Sequence, residues 1–304
     1  MKRVAVLMGG RSAEREVSLV SGRECAAGLA EAGYDVYTID VGHDVKALVT
    51  ALDPRPDVVF NALHGRYGED GCVQGVLELL GIPYTHSGLL ASALAMDKTM
   101  AKRLFAAAGL RCPDGQEIDA RSLGRDPMPR PYILKPANEG SSVGVRIVRS
   151  GDNQPPTPAE WKFGPRVVCE RYIPGRELTV AVMGDRALAV TELRPRSSFY
   201  DYEAKYTGGK TDHLVPAPVP ERVYHEALRM AKLAHDTLGC RGVSRSDFRY
   251  DDTSLGGIDQ LYLLEVNTQP GMTPLSLVPE QANHLGISFP ALVSWMVENA
   301  RCDA

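Results

Sequence analysis

The chain has 304 residues, enough for two domains or three closely packed lobes, and its 44% hydrophobic and 24% charged residues are typical of a globular protein. Its 34 basic and 38 acidic residues give a net charge of −4 without a lysine–arginine run, which argues against nucleic acid or an anionic membrane as a partner. The six cysteines form no CxxC or Cys/His cluster, so neither a zinc site nor a disulfide framework is expected. The apolar run after Met1 is too short for a signal peptide, and no run approaches a membrane span, so we expect a cytoplasmic protein.

In the first third of the chain, predicted strands alternate with predicted helices. Continuous apolar runs indicate buried parallel strands, and segments of helical period that stop at glycine indicate helices. The predicted elements are a strand over 4–8, a helix over 14–32, a strand over 34–40, a strand over 57–61 after an intervening helix, a helix over 73–80 and a strand over 82–84. This alternation predicts a doubly wound α/β lobe whose ligand-binding loops follow the carboxyl ends of the strands.

The remaining two thirds combine hairpins with covering helices, which predicts an α+β arrangement. The predicted elements are a helix over 98–108, strands over 132–135, 144–148 and 166–170, a hairpin of 177–183 with 188–193, a helix over 222–238, paired strands over 243–250 and 260–267, and a helix over 284–300. The chain has no internal repeat.

Two of these paired strands carry the clearest chemical pattern. Arg245 and Asp247 are two residues apart, as are Glu265 and Asn267, and side chains at i and i+2 of a strand lie on one face. If the strands pair, one face presents two carboxylates, an amide and a guanidinium, and carboxylate and carbonyl oxygens are ligands that magnesium prefers. The alternatives are a solvated polar edge and an internal Arg–Asp ion pair.

Four loops carry weaker patterns. Lys135 precedes the glycine–serine loop 136–144, which suits either a flap over polyphosphate or an ordinary turn. Glu14 lies at a helix start, where an acid is either a partner of the helix dipole or a site for a substrate ammonium. His64 either contacts substrate or caps its loop. The irregular segment 197–209 is either a lid that excludes water or a surface loop anchored by tyrosines.

Seven segments of the sequence, in one order along the chain, resemble those of the D-alanine–D-alanine ligases in the ATP-grasp superfamily. They are GGRSAEREVSLVSG at 9–22, ALHGRYGEDG at 62–71, MDK at 96–98, LKPANEGSSVGV at 134–145, FYDYEAKY at 199–206, SRSDF at 244–248 and LLEVNTQPGMTPLSLVP at 263–279. The match runs nearly end to end. It implies an ATP-grasp fold with a doubly wound parallel-sheet substrate lobe at 1–96, a central lobe with the glycine–serine flap at 97–175, and a C-terminal lobe with the metal site and lid loop at 176–304.

The resemblance also implies a role for each site residue. The ATP-binding residues are Lys98, Lys135, Ser142, Glu170, Arg171, Ile173, Glu177 and Lys205, and the ligands of two Mg²⁺ ions, for which Mn²⁺ is an expected substitute, are Asp247, Glu265 and Asn267. The substrate-binding residues are Glu14, His64, Arg245, Ser276 and Leu277. The catalytic residues are Glu14, Ser141, Tyr206, Arg245 and Gly271, the last through its N–H.

The reaction implied by the resemblance is ligation of two D-alanines to D-alanyl-D-alanine through an acyl phosphate, with release of ADP and phosphate, for peptidoglycan precursors. Tyr206 favours an amine acceptor, because ligases that use D-lactate usually have phenylalanine there. Two alternatives stay open, namely another ATP-grasp ligase, such as one that joins D-alanine to D-lactate, and a nucleotide-binding regulator without catalysis. A homodimer is also left open.

Overall fold

The structure, a computed structural model, describes residues 1–138, 140, 144–195, 211–253 and 256–303. The first sheet contains β1 (Arg3–Gly9), β2 (Asp35–Val41) and β3 (Val58–Asn61), which run parallel in the order β2-β1-β3. The helices α1 (Arg15–Glu31), α2 (Val45–Ala51) and α3 (Cys72–Leu80) alternate with these strands, and α4 (Leu89–Met96) follows. The predicted alternation of strands and helices is confirmed, except that the strand predicted over 82–84 is reduced to single bridges at Tyr84.

The second sheet is antiparallel and lies between residues 115 and 171. The helix α5 (Lys98–Ala107) comes before its strands β4 (Gly115–Asp119), β5 (Tyr132–Pro136), β6 (Arg146–Val148) and β7 (Arg166–Arg171). The strand order is β4-β7-β5-β6, so β5 and β7 are central. A 3₁₀ turn at Ala120–Ser122 follows β4.

The third sheet is also antiparallel and has five strands. They are β8 (Arg176–Met183), β9 (Arg186–Pro195), β10 (Thr211–Leu214), β11 (Val243–Tyr250) and β12 (Leu261–Asn267), in the order β10-β9-β8-β11-β12. The helix α6 (Glu221–Thr237) precedes β11, a 3₁₀ turn at Ile258–Gln260 precedes β12, and α7 (Leu277–His284) and α8 (Phe289–Glu298) follow it.

The helix predicted over 284–300 is confirmed for its later part, since α8 covers Phe289–Glu298, but its predicted start is wrong because His284 is the last residue of the separate helix α7. The helix α7 ends at His284, and Gly286 then adopts a φ of +80°, a conformation that glycine tolerates and other residues rarely adopt. Ser288 caps α8 by accepting a hydrogen bond from the N–H of Ala291, and Pro290 lies in the first turn, where a missing N–H is harmless.

Two of the hydrophobic cores position the first and third sheets. One lies between the five-stranded sheet and α6, where Met230, Phe248 and Leu263 are buried. The other joins the first sheet to α1 and α8, and it reaches Ala181 and Val243 of the five-stranded sheet. This shared core fixes the N-terminal sheet against the C-terminal one. None of the helices in the described part of the chain has the length and apolarity that a membrane crossing requires.

Two histidines are buried as neutral rings. Burial lowers the pKa of His86 to about 3, and its ring packs edge-on against Phe60 with 5.9 Å between ring centroids. Burial likewise lowers the pKa of His235 to about 4, where its Nδ1 lies 2.7 Å from Oγ of Ser244. Neither ring is therefore charged in the folded protein at neutral or mildly acidic pH.

We predict that these two histidines limit acid stability. The unfolded chain binds the protons near pH 6.5 and the folded protein does not, so the free energy of unfolding falls below about pH 6.5 by about 1.4 kcal/mol per pH unit for each ring. The His86→Asn variant keeps a residue that tolerates left-handed backbone and should show a smaller slope in urea unfolding between pH 6.5 and 5. His225→Asn, at an exposed position on α6, is the control and should keep the wild-type slope. An unchanged slope in His86→Asn would contradict the prediction.

Candidate active site

One cleft lies between loops of the first sheet and the edge of the five-stranded sheet, and many of the predicted site residues line it. Those in the cleft are Glu14, His64, Lys98, Arg245, Asp247, Glu265, Asn267, Gly271, Ser276 and Leu277. They come from positions between 14 and 277 of the sequence. These residues are distant in sequence, and the fold brings them together.

The predicted pairing of β11 with β12 is confirmed by their register. Arg245 pairs with Asn267, and Asp247 pairs with Glu265, so all four side chains belong to one face. The register shifts directly after Asp247, where two residues of β12 oppose one residue of β11, a β-bulge. Beyond the bulge, Leu263 belongs to the opposite, core face, while Glu265 remains in the cleft.

The guanidinium of Arg245 holds Asp247 in a bidentate ion pair. Its Nε and Nη2 donate to the two carboxylate oxygens at 2.8 Å each, and the hydroxyl of Thr179 on β8 donates to Oδ1 at 2.7 Å. The internal Arg–Asp pair, one of the alternatives in the sequence analysis, is therefore present. The pair does not by itself exclude metal binding, since a carboxylate has about four lone-pair sites and these three hydrogen bonds use three of them.

The donor atoms fit magnesium in kind. Asp247 and Glu265 offer carboxylate oxygens, and Asn267 offers an amide oxygen, Oδ1, that also accepts the N–H of Gln269 at 2.8 Å. Within the ranges that the structure describes, no group of three His, Cys, Asp or Glu side chains could hold a metal ion by itself. A metal held by two acids and one amide would take its remaining ligands from water or phosphate, which is how magnesium is usually bound.

The helix α5 brings Lys98 to the same end of the cleft. Asp97 caps the helix by accepting hydrogen bonds from the N–H groups of Thr99 and Met100, which fixes where the helix begins. Nζ of Lys98 lies 3.8 Å from Oε2 of Glu265. Burial lowers the pKa of Lys98, and the carboxylate of Glu265 opposes this effect.

The predicted ATP-binding residues Lys135 and Glu170 contact each other. Glu170, at the end of β7, is 2% exposed, and Nζ of Lys135 on β5 lies 2.9 Å from its Oε2. Its other oxygen, Oε1, accepts a hydrogen bond from Nζ of Lys102 at 2.8 Å. Burial alone would raise the pKa of Glu170, but Lys135 and Lys102 lower it below its ordinary value, so the carboxyl group is ionised. The sequence analysis missed Lys102, although its position four residues after Lys98 places both lysines on one side of a helix.

The other predicted nucleotide residues follow β7 along the chain. The guanidinium of Arg171 lies over the ring of Tyr262, 5.1 Å from its centroid, and Ile173 is buried. Oε2 of Glu177 is 3.6 Å from Nη1 of Arg249. The structure gives these residues charged or apolar neighbours, and their contacts with adenosine stay a prediction.

The loops of the first sheet bring Glu14 and His64 into the cleft. Oγ of Ser12 accepts the N–H of Glu14 at 3.1 Å and donates to the carbonyl of His64 at 2.7 Å, so one hydroxyl ties the two loops together. Burial lowers the pKa of His64 despite the nearby charge of Glu14, so the ring is neutral. The sequence analysis also missed Glu69, which lines the cleft; its pKa is raised by burial and by Glu14.

The far end of the cleft is a helix N-terminus. Ser276 precedes α7 and Leu277 begins it, so the Leu277 N–H is one of the backbone donors that an α-helix leaves without an internal partner. Such a terminus favours an anion, which suits the carboxylate predicted there. Oγ of Ser276 accepts the N–H of Thr273 at 2.9 Å. A Cβ on Gly271 would lie 3.0 Å from this Oγ, so a side chain there would require Ser276 to shift.

Four of the predicted site residues, Ser141, Ser142, Lys205 and Tyr206, lie outside the described residues. Their roles in the flap and the lid stay predictions.

Comparisons with known proteins identify the family. The family model "D-ala D-ala ligase C-terminus" matches residues 125–298, and "D-ala D-ala ligase N-terminus" matches residues 42–87. The chain is 61% identical to the D-alanine–D-alanine ligase of Paramagnetospirillum magneticum and 60% identical to that of Acidiphilium cryptum, with 99% of each chain covered. The chain belongs to the D-alanine–D-alanine ligase family.

The fold agrees with solved structures of this ligase family. A crystal structure of the Bacillus anthracis D-alanine–D-alanine ligase complexed with ATP superposes with a TM-score of 0.80 at 31% identity, covering 98% of this chain and 96% of the other. A second structure of the Bacillus anthracis enzyme gives a TM-score of 0.81 at 32% identity, covering 98% and 97%. The ATP-grasp fold predicted from the sequence is thereby confirmed.

In this member of the ligase family, two buried amides join the loops on either side of the cleft. Nδ2 of Asn61 donates to Oε1 of Gln269 at 2.8 Å and to the carbonyl of Gly68 at 3.0 Å. Nε2 of Gln269 donates in turn to the carbonyl of Leu63. Asn61 ends β3 and Gln269 follows β12, so this network holds the loop of His64 against the loop of Gly271. The sequence analysis missed both amides.

We predict that Gln269→Leu weakens the site and the fold together. The substitution removes one of the two acceptors of Asn61 Nδ2 and the side-chain donor to the carbonyl of Leu63. A buried polar group that loses its partner costs about 1–3 kcal/mol. Urea unfolding should show this loss, and kcat/KM should fall because the two loops lose their link. Gln116→Leu is the matched control, because Gln116 is exposed and its side chain donates to the carbonyl of Pro127 at the protein surface. Equal stability of the two variants would refute the structural role of Gln269.

Proposed function

We propose that this chain ligates two D-alanine molecules to D-alanyl-D-alanine, converting ATP to ADP and phosphate, as a cytoplasmic step of peptidoglycan precursor synthesis. The relatives named as D-alanine–D-alanine ligases match the whole length of the chain. The observation that carries the proposal is the register of β11 and β12, which sets Arg245 and Asp247 opposite Asn267 and Glu265 in the cleft.

The lysine-rich end of the cleft suits the phosphates of ATP. Lys98 and Lys135 are buried cations at strand and helix ends, and phosphoryl transfer depends on positioning and neutralisation of charge. Asp247, Glu265 and Asn267 would hold two Mg²⁺ ions, with Mn²⁺ as a substitute, and these ions would add charge neutralisation at the phosphates. Phosphorylation then turns a carboxylate oxygen of the first D-alanine into a leaving group.

The opposite end suits the two amino acids. Glu14 is the group for the ammonium of the first D-alanine, with His64 beside it, and the α7 N-terminus at Ser276 and Leu277 is the site for the carboxylate of the second. When the second amine attacks the acyl phosphate, negative charge develops on the carbonyl oxygen. Arg245 and the N–H of Gly271 are the donors for this oxyanion, and each such donor contributes about 3 kcal/mol.

The arrangement of the sheets also supports three lobes, at 1–96, 97–175 and 176–304. The parallel sheet lies before residue 62, the four-stranded sheet between 115 and 171, and the five-stranded sheet between 176 and 267. A homodimer is a further prediction, which analytical ultracentrifugation tests.

The first test is substrate-dependent phosphate release from ATP by the purified protein. We expect D-alanine to stimulate release and L-alanine to stimulate it about a hundredfold less, because the wrong enantiomer misplaces the reacting groups. Arg245→Met is the control, and its rate should fall by about a hundredfold or more. Equal turnover with both enantiomers would exclude the substrate, and ATP binding without any turnover would favour the non-catalytic regulator.

The second test concerns the acceptor. With D-alanine and D-lactate in competition, Tyr206→Phe should raise the share of the depsipeptide D-alanyl-D-lactate by about tenfold, because phenylalanine removes a hydroxyl that favours the amine. Chromatography of the two products measures the ratio. Tyr202→Phe, a change of the same kind nearby in sequence, should leave it unchanged. The same ratio in Tyr206→Phe and wild type would remove Tyr206 from acceptor choice.

A further inference from the structure

Glu170 is a buried carboxylate shared by two lysines from different elements. Lys135 reaches its Oε2 from β5 at 2.9 Å, and Lys102 reaches its Oε1 from α5 at 2.8 Å. Only 2% of the Glu170 side chain is exposed, against 10% for Lys135 and 16% for Lys102. One carboxylate thus has two cationic partners in a place that water hardly reaches.

Lys102 is also fixed in place independently of Glu170. Its Nζ donates to the carbonyl of Pro113 at 2.7 Å. The start of its helix is anchored by Asp97, which accepts a hydrogen bond from Nη1 of Arg166 on β7 at 2.7 Å. A second contact therefore links the strand that carries Glu170 to the helix that carries Lys102, five residues before Lys102 and four residues before Glu170.

The local charges leave a surplus that nucleotide phosphate could neutralise. Among the groups joined by direct ion pairs, Lys98, Lys102 and Lys135 face the two carboxylates of Glu170 and Glu265, which is three cations against two anions. If Lys135 turned towards a phosphate and Glu170 had no other cation, a buried carboxylate would be left unpaired, which is strongly unfavourable. With Lys102 in place, Glu170 keeps a partner, and Lys135 can change partner at little cost.

We propose that Lys102 is a positioning residue of the nucleotide site, which holds Glu170 in place while Lys135 exchanges this carboxylate for the phosphates of ATP. The inference rests on the proposed function, since it takes ATP as the ligand. Lys102 itself does not touch the reacting atoms. It acts through Glu170, and it therefore affects the affinity for ATP and not the reaction of the two amino acids.

The test compares Lys102→Met with the wild type in steady-state kinetics and in calorimetric titration with ATP and magnesium. Lys102→Met should raise the KM and the Kd for ATP by about tenfold, while kcat and the KM values for D-alanine stay within about threefold. Lys232→Met is the matched control, because Lys232 pairs with Asp236 on the exposed side of α6, and it should behave as wild type. Thermal unfolding of each variant separates a loss of ATP affinity from a loss of fold.

A double-mutant cycle tests whether Lys102 acts through Glu170. In a Glu170→Gln background the carboxylate charge is gone, so adding Lys102→Met should change the KM for ATP by less than about twofold. An unchanged ATP affinity in Lys102→Met, or an equal effect of the substitution in both backgrounds, would overturn the proposal. If Lys102→Met does not fold, Lys102→Gln is measured in its place with the same two outcomes.

Failure of this inference is distinguishable from failure of the proposed function. A wild-type protein that binds ATP and turns over D-alanine, together with a Lys102 variant of normal ATP affinity, refutes only the role of Lys102. A wild-type protein that releases no phosphate with D-alanine refutes the function, whatever the variants do.

Discussion

The pairing register of β11 and β12 is the constraint on which the rest of the site depends. A slip of one residue would turn the side chains of one strand to the opposite face and separate Asp247 from Glu265. Neighbouring β8 fixes the register from the other side, because Thr179 pairs with Asp247 and its hydroxyl donates to that carboxylate. The bulge after Asp247 then lets the same strand β12 supply Leu263 to the core and Glu265 to the cleft.

Two carboxylates of the site already have cationic partners without substrate. Asp247 is held by Arg245, and Glu170 by two lysines. Binding of an anionic nucleotide is therefore an exchange of partners between groups that are already desolvated. Such an exchange avoids much of the desolvation penalty that forming new buried ion pairs would carry.

Local sequence patterns predicted a strand or helix well where the segment has a clear hydrophobic period and a residue, such as glycine, that ends it. The run at Val4–Leu7 is buried on both faces, and helices with glycine after them end where expected. The patterns failed where contacts between residues distant in sequence determine whether a strand forms. The strands β4 and β10 are short and polar, so only their pairing with β7 and β9 defines them. The same holds for the site. Sequence motifs identified Asp247 and Glu265, but Lys102, Glu69 and Gln269 were missed because their contacts are with residues distant in sequence.

The missed residues divide into two kinds with different physical consequences. Lys102 and Glu69 have ionisable side chains, so their interactions depend on the charges around them. Asn61, Gln269 and Gln281 are neutral amides, and Gln281 joins α7 to β8 through the N–H of Ala181 and the carbonyl of Thr179. An amide keeps its hydrogen bonds when a phosphate binds nearby, because it is neutral, does not titrate and needs no counter-ion. Hydrogen bonds of these amides therefore keep the loops in position while the ion pairs of the site change partners.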